Sequence, residues 1–286
     1  MLDFPRAVFN AQRALDTNKS LFDSLRVMPE KHKTQTRVVN FAGFDGSLLA
    51  ASLDFPVDVT PRQYAIMSHC FTCTRQTLTT ARISRGLAQS GIGVLRFDFT
   101  GLGDSEGVFA DSHFRSMVRD IECAAEFLAR HFQPASILMG HSMGGTASLA
   151  ASQDGCSALS KLSKLITIAS PAYPAHVLHH FGGAMPRLRQ GLAAEILVAG
   201  QAYPVKPSFV DDVETYDMSL QMQNCDIPIM AARAGNDALV GPEAAEQILA
   251  FTRAETRLIE IAEADHLFSN RDHADGLLRS VLSWLE

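Results

Sequence analysis

The sequence predicts an α/β fold: a mostly parallel, eight-stranded sheet flanked by helices, with a small insertion above it. Three observations carry this reading. Short β-branched apolar runs alternate with longer segments of helical period, the pattern of a parallel sheet wrapped by helices. Two of the runs, Ile137-Leu138-Met139 and Leu165-Ile166-Thr167-Ile168, are near-continuously apolar, as strands buried on both faces must be. The strand ending at Gly140 runs directly into a serine flanked by glycines and then into the helix-period run Thr146–Ala151.

Taken in order, Met1 to about Thr34 carries Phe4, Val8, Ala11, Leu15, Leu21, Phe22 and Leu25 at roughly helical spacing. We read an added helical segment over 1–34 that packs on the domain or on a second copy of the chain. Strands are expected at Arg37–Phe41, Leu48–Asp54, Tyr64–His69, Gly93–Asp98, Ser136–Gly140, Leu165–Ala169, Pro228–Ala234 and Arg257–Ile261. The first two are joined by Gly43-Phe44-Asp45-Gly46 and so form an antiparallel hairpin. Helix-length connections follow at Gln76–Gln89, His113–His131, Ser142–Ala151, Pro242–Phe251 and His273–Glu286. Between Pro171 and about Asp226 two strands are separated by far more chain than one helix needs. A helix (Ala175–Phe181) and a hairpin (Ile196–Val210) in that stretch point to a small lid, so the main domain is expected to run from 35 to 286.

Composition narrows the function. With 31 acidic and 25 basic residues the formal charge is −6, and no basic cluster is present, so nucleic acid is excluded as a partner. The N-terminal stretch has Asp3 before its first basic residue and lacks the apolar core of a secretory signal. The longest run free of Asp, Glu, Lys and Arg, His131–Gln153, is too rich in polar and glycine residues for a bilayer core. Five cysteines, an odd number with mostly wide spacings, do not resemble a disulfide framework. A cytoplasmic protein of a reducing compartment, with no membrane association, is expected.

The chemistry is concentrated in Gly140-His141-Ser142-Met143-Gly144-Gly145, a G-x-S-x-G motif between strand and helix. Such a turn forces the serine into a strained conformation that flanking side chains would obstruct. It also exposes the hydroxyl at a helix N-terminus, where developing negative charge is favoured. A base and an orienting acid should follow, each after a later strand. Asp237 follows the strand Pro228–Ala234 and His266 follows Arg257–Ile261; Asp265 is the competing acid, but it is the sequence neighbour of the imidazole it would have to face. Two N–H donors should stabilise an oxyanion: Met143, after the serine, and Phe71, in the loop His69–Cys73, with Cys70 the alternative. Cys70, His141, His176 and His179 are candidate substrate-facing residues. Cys70-x-x-Cys73 alone would suggest a redox pair or half a zinc site, yet no second C-x-x-C exists. His176, His179 and His180 lack an acidic or cysteine partner nearby, so no metal and no cofactor is expected. Gly101–Gly107 lacks the spacing of a phosphate loop and is read as a structural turn.

These residues, with Arg-Phe-Asp-Phe-Thr-Gly-Leu-Gly-Asp-Ser-Glu-Gly at 96–107, resemble the α/β-hydrolases. The combination is similar to bacterial serine hydrolases found alone or fused ahead of an OsmC-like, peroxiredoxin-related domain, and Ser-Pro-Ala-Tyr-Pro-Ala-His-Val-Leu-His-His-Phe at 170–181 also resembles that subgroup. The resemblance runs from about residue 35 to the end. The chain departs from the wider superfamily in carrying His69-Cys70 where His-Gly is common, which sets a side chain beside the pocket. It ends at Trp284-Leu285-Glu286, directly after its final helix, so any OsmC-like partner is expected to be a separate protein. The resemblance implies a serine hydrolase cleaving a small carboxylic ester or a thioester through an acyl-enzyme. A serine at the elbow argues against the aspartate-based dehalogenases and epoxide hydrolases of the same fold. The rival readings are a ligand-binding or interaction protein on a hydrolase scaffold, and a redox sensor using Cys70 and Cys73.

Overall fold

The computed structural model describes residues 31–286, and each strand expected from the apolar runs is present to within a few residues. In chain order these are β1 (Thr34–Ala42), β2 (Leu48–Pro56), β3 (Gln63–Ser68), β4 (Ile92–Phe97), β5 (Ile137–His141), β6 (Lys164–Ile168), β9 (Ile229–Ala234) and β10 (Thr256–Ile261). Two further strands, β7 (Ala194–Val198) and β8 (Gln201–Val205), pair only with each other. The eight-stranded sheet has the order β1-β2-β4-β3-β5-β6-β9-β10. Strand β2 runs antiparallel to both of its neighbours, and from β4 to β10 every pairing is parallel. Of the helical extension expected over 1–34, residues 1–30 lie outside the described residues; 31–33 are in neither helix nor strand, and Thr34 already belongs to β1.

Parallel strands need crossovers, and helices supply them. The crossovers are α1 (Leu78–Gln89), α2 (Phe114–His131), α3 (Met143–Ala151) and α7 (Glu243–Leu249), and α8 (Arg271–Leu285) follows the last strand. Alternate side chains of the central strands feed two separate cores. Ile66, Leu95 and Leu138 pack with Ile121 and Leu128 of α2 and Leu149 of α3. Ala65, Met67, Val94 and Met139 pack on the other face with Ile83 and Leu87 of α1 and Leu277, Val281 and Trp284 of α8. Apolar burial on both faces is why these strands read as continuous runs rather than alternating ones. No helix among the described residues is long and apolar enough to cross a membrane.

The stretch between β6 and β9 holds a 3₁₀ run (Pro174–Phe181), the β7–β8 hairpin and the short helices α4 (Met185–Arg189), α5 (Pro207–Thr215) and α6 (Met218–Met222). The hairpin turns through Ala199 and Gly200, both at positive φ, as a two-residue connection with the right-handed strand twist requires. It closes at Val205, short of the expected Val210, because Pro207 opens α5: its fixed φ and missing N–H suit the first helical position. The stretch packs on the loops at the carboxyl ends of the sheet strands. Phe181 and Phe209 contact Phe71, Tyr203 contacts Phe109, and the Tyr203 hydroxyl donates to the Thr72 carbonyl at 3.1 Å.

Candidate active site

Loops leaving the carboxyl ends of β3, β5, β9 and β10 converge where ligands bind in open parallel sheets. The β5 loop is the serine turn. Ser142 has φ 54° and ψ −128°, and its N–H donates to the Ile168 carbonyl of β6 at 2.8 Å. A non-glycine residue at positive φ is uncommon and is tolerated where its surroundings overdetermine it. Here they do so by the absence of side chains. A Cβ on Gly140 would lie 2.3 Å from the Gly144 carbonyl oxygen, and one on Gly144 would lie 2.2 Å from the His69 carbonyl oxygen. The glycines are therefore needed for space rather than for unusual torsions, and the serine turn rests directly on the β3 loop. Met143 opens α3, so its N–H is among those a helix leaves without an internal partner.

The loops after β9 and β10 are laced together. Gly235 N–H donates to Ile261 and Asn236 N–H to Ala264, both at 2.9 Å, and a Cβ on Gly235 would lie 2.1 Å from the Ala262 carbonyl oxygen. That contact sets Asp237 against His266, with Oδ2 accepting from Nδ1–H at 2.7 Å. The other oxygen, Oδ1, accepts from the amides of Leu239 (2.8 Å) and Val240 (3.0 Å). Burial works against ionisation of Asp237, but the bond from His266 and the two amides outweigh it and hold the carboxyl below its usual range. With Nδ1 committed as donor, Nε2 is the basic nitrogen of the neutral ring. Asp265 faces elsewhere: its carboxylate accepts from the Ser269 amide at 2.7 Å.

The β3 loop is held from several sides. His69 is wholly buried, and its Nε2 accepts from the Phe99 amide at 3.2 Å. A backbone N–H can only donate, so the proton of the neutral ring sits on Nδ1, which donates to the Cys70 carbonyl at 2.7 Å. Burial keeps His69 below its ordinary pKa, and hence in this neutral form. The side chain of Phe71 is buried among Phe109, Phe181 and Phe209. Just beyond, the nearly buried Arg75 pairs with buried Asp98 and with Asp104 (2.8 Å), and accepts Arg96 Nη1–H on its carbonyl at 2.7 Å. Segment 96–107, of which Gly101–Gly107 is read as a turn, thus also anchors this loop.

Several expectations need amending. Cys70 is not a free thiol: it is buried and joined to Cys73 by a disulfide, with Cα atoms 5.3 Å apart. The cysteines form no framework, but the C-x-x-C turn brings this one pair within bonding reach. His141, expected to face substrate, is buried beneath His266 and donates from Nε2 to the His266 carbonyl at 2.7 Å; burial, chiefly, lowers its pKa to about 4. His176 donates from Nε2 to the Leu239 carbonyl at 2.9 Å, joining the 3₁₀ run to the Asp237 loop, and His179 is exposed with Nδ1 on the His176 carbonyl at 2.6 Å. The residue given no role of its own is His180, whose ring is tilted against that of His179 with ring centres 3.8 Å apart, and which is lowered to about 4 by burial and by the neighbouring histidines, His266 among them. Its signal was present in the His179-His180 pair at the end of the 3₁₀ run.

This is the fold and loop arrangement of the α/β-hydrolases. The family model described as serine aminopeptidase, S33, matches residues 73–216, and the chain belongs to that family. The matched span contains Ser142 and ends before Asp237 and His266. Among solved structures, the esterase domain of a Rhodothermus marinus protein is 30% identical, with 87% of this chain and 97% of that one covered and a TM-score of 0.68. A putative hydrolase from Agrobacterium vitis S4 (18% identity, 89% and 100% covered, TM-score 0.71) shares the fold. So does XC6422 from Xanthomonas campestris, described as a serine hydrolase without lid (21%, 89% and 97%, TM-score 0.60). No curated protein matches the sequence. The scaffold is that of a serine hydrolase.

Proposed function

We propose that the chain is a serine hydrolase that cleaves a small carboxylic ester through an acyl-enzyme. The observation that carries the proposal is the 2.7 Å bond between His266 Nδ1 and Asp237, formed at strand ends beside a serine at positive φ. His266 Nε2 takes the Ser142 proton as Oγ attacks the carbonyl carbon, and Asp237 fixes the tautomer and stabilises the imidazolium. The N–H groups of Met143 and Phe71 receive the oxyanion. Collapse of the tetrahedral intermediate expels the alcohol, which takes the proton from His266. Water, deprotonated by the same nitrogen, then releases the acid and regenerates Ser142. The 171–226 stretch is a lid over these loops and shapes the acyl site, with His176 tying it to the Asp237 loop. Ester is preferred to thioester because the Rhodothermus relative is an esterase domain.

The test is hydrolysis of p-nitrophenyl esters of graded chain length by the parent and by Ser142→Ala, with fluorophosphonate labelling in parallel. Turnover and a single adduct at Ser142 in the parent, both absent in the variant, are expected. Equal turnover by the two would overturn the mechanism. A parent that neither turns over esters nor labels would support a ligand-binding role instead.

A further inference from the structure

We propose that Cys70 and Cys73 are a reversible thiol–disulfide site that sets the alignment of the Phe71 amide, and so regulates the hydrolase; this rests on the functional reading above. Phe71 lies inside the four-residue turn that the disulfide closes. The Cys70 carbonyl accepts two bonds, from His69 Nδ1–H at 2.7 Å and from the Cys73 amide at 3.2 Å. A trans peptide is planar, with its C=O and N–H pointing in opposite directions. Holding the Cys70 carbonyl on one side therefore holds the Phe71 N–H on the other, and a rotated peptide would present a carbonyl in place of the donor.

One of those two anchors depends on the bridge. Thr72, between Phe71 and Cys73, has φ 61°, a conformation that is a genuine outlier for a β-branched residue. The disulfide, the Thr72 Oγ1–H bond to the Phe71 carbonyl and the Tyr203 hydroxyl on the Thr72 carbonyl hold it there. Opening the bridge lets Thr72 relax towards the extended region, and the Cys73 amide then leaves the Cys70 carbonyl. His69 remains as the single anchor.

The pair is placed for exchange. Cys73 is half-buried whereas Cys70 is buried, so an incoming thiolate reaches the Cys73 sulfur and Cys70 is the leaving thiolate, which then takes a proton. With a dithiol reductant, the second thiolate resolves the mixed disulfide. Both cysteines end as thiols and the dithiol ends as its own disulfide, two electrons having passed to the protein. Burial raises the thiol pKa of the three remaining cysteines, that of Cys123 to about 11, so they compete poorly.

The full chain is equilibrated in buffers of varied reduced-to-oxidised dithiothreitol ratio. In each, the bridged fraction is read by alkylation and mass spectrometry, kcat on p-nitrophenyl acetate is measured with a Ser142→Ala blank, and fluorophosphonate labelling of Ser142 is timed. We expect kcat and labelling rate to follow the bridged fraction, to fall about 10- to 100-fold on full reduction, short of the ~10²- to 10³-fold loss of a whole donor, and to return on reoxidation. Cys73→Ser should stay at the low rate in every buffer, and Cys123→Ser should behave as the parent. Equal kcat in both states, or no bridge in oxidising buffer, overturns this inference while Ser142 labelling keeps the hydrolase standing. If neither state labels or turns over, the hydrolase reading fails and the inference with it.

Discussion

His141 lies directly beneath His266 and donates from Nε2 to its backbone carbonyl at 2.7 Å, with ring centres 5.0 Å apart. The residue beside the proposed nucleophile thus holds the backbone of the proposed base, coupling the end of β5 to the β10 loop. His141→Phe would fill the space but leave that carbonyl without its donor, at a cost of about 1–3 kcal/mol. Because a displacement of about 1 Å can lose on the order of 10²-fold in rate, kcat should fall at least tenfold while the KM of a short ester stays nearly constant. A fall confined to KM would show that the ring contacts substrate after all.

The same residue makes stability depend on pH. Burial depresses His141 to about 4 in the folded state, whereas in the unfolded chain it titrates near 6.5. Below about 6.5 the unfolded state takes up the proton first, so this contribution is complete above that pH and is lost as pH falls towards 4. Thermal unfolding of the parent and of His141→Phe between pH 7.5 and 4.5 isolates it from other groups. The parent's midpoint should decline more steeply than the variant's over that range, and parallel slopes would refute the assignment.

Asp237 and Asp265 both lie near His266 in the fold, but only Asp237 bonds its ring. Asp237→Asn keeps the shape and inverts the tautomer, since an amide NH₂ facing Nδ1 puts the ring proton on Nε2, where the base is needed. A loss of about 10³- to 10⁴-fold in kcat is expected, against less than threefold for Asp265→Asn, both measured on the same ester. Comparable losses from the two would mean that the orienting acid is shared.

Much of this was legible in the sequence, for physical reasons. Buried parallel strands leave uninterrupted apolar runs, so β3, β5, β6 and β9 stand out, and a serine turn needs glycines wherever its backbone is crowded. Asp237 and His266 could be placed because each follows a strand whose end is fixed by its neighbours. What stayed hidden depends on contacts between distant segments or on torsion angles. The spacing of Cys70 and Cys73 was plain, but their bonding depends on Thr72 turning left-handed. The orientation of His141 depends on which side of β5 its ring enters. The helices at Met185–Arg189 and Met218–Met222 are too short for a helical period to register. A warning of the buried ion cluster was present in Arg96, a charge inside an otherwise apolar strand.

The glycines make a sharper test of the serine turn than the serine itself. At Gly144 an added methyl meets the His69 carbonyl oxygen at 2.2 Å, and neither backbone can yield without moving the turn off the β3 loop. Gly182 faces open space and lies in the ordinary helical region, so the same change there should be nearly neutral. Gly144→Ala should slow fluorophosphonate labelling by about 10²-fold or more and lower the melting temperature, whereas Gly182→Ala should alter neither beyond error. Normal labelling in Gly144→Ala would mean that the loop and the turn are not in register as described.

Arg75 and Asp98 provide the last test, because the β3 loop is only as fixed as the charges under it. Both side chains are almost wholly buried, and Asp98 also accepts the Arg75 and Asp104 amides. Removing one charge strands the other in a medium that cannot solvate it, so Asp98→Asn should cost about 3–5 kcal/mol in denaturant unfolding, even though the exposed Asp104 remains paired to the guanidinium. Adding Arg75→Met removes the stranded charge, and the double variant should recover at least 1 kcal/mol of the loss, which is on the order of the coupling between residues in one network. Activity should not recover with stability, because the guanidinium also ties the β3 loop to segment 96–107. A double variant that regains stability but remains slow, with labelling of Ser142 slowed in proportion, separates the folding role of the ion pair from its hold on the β3 loop; additive losses in both would remove that distinction.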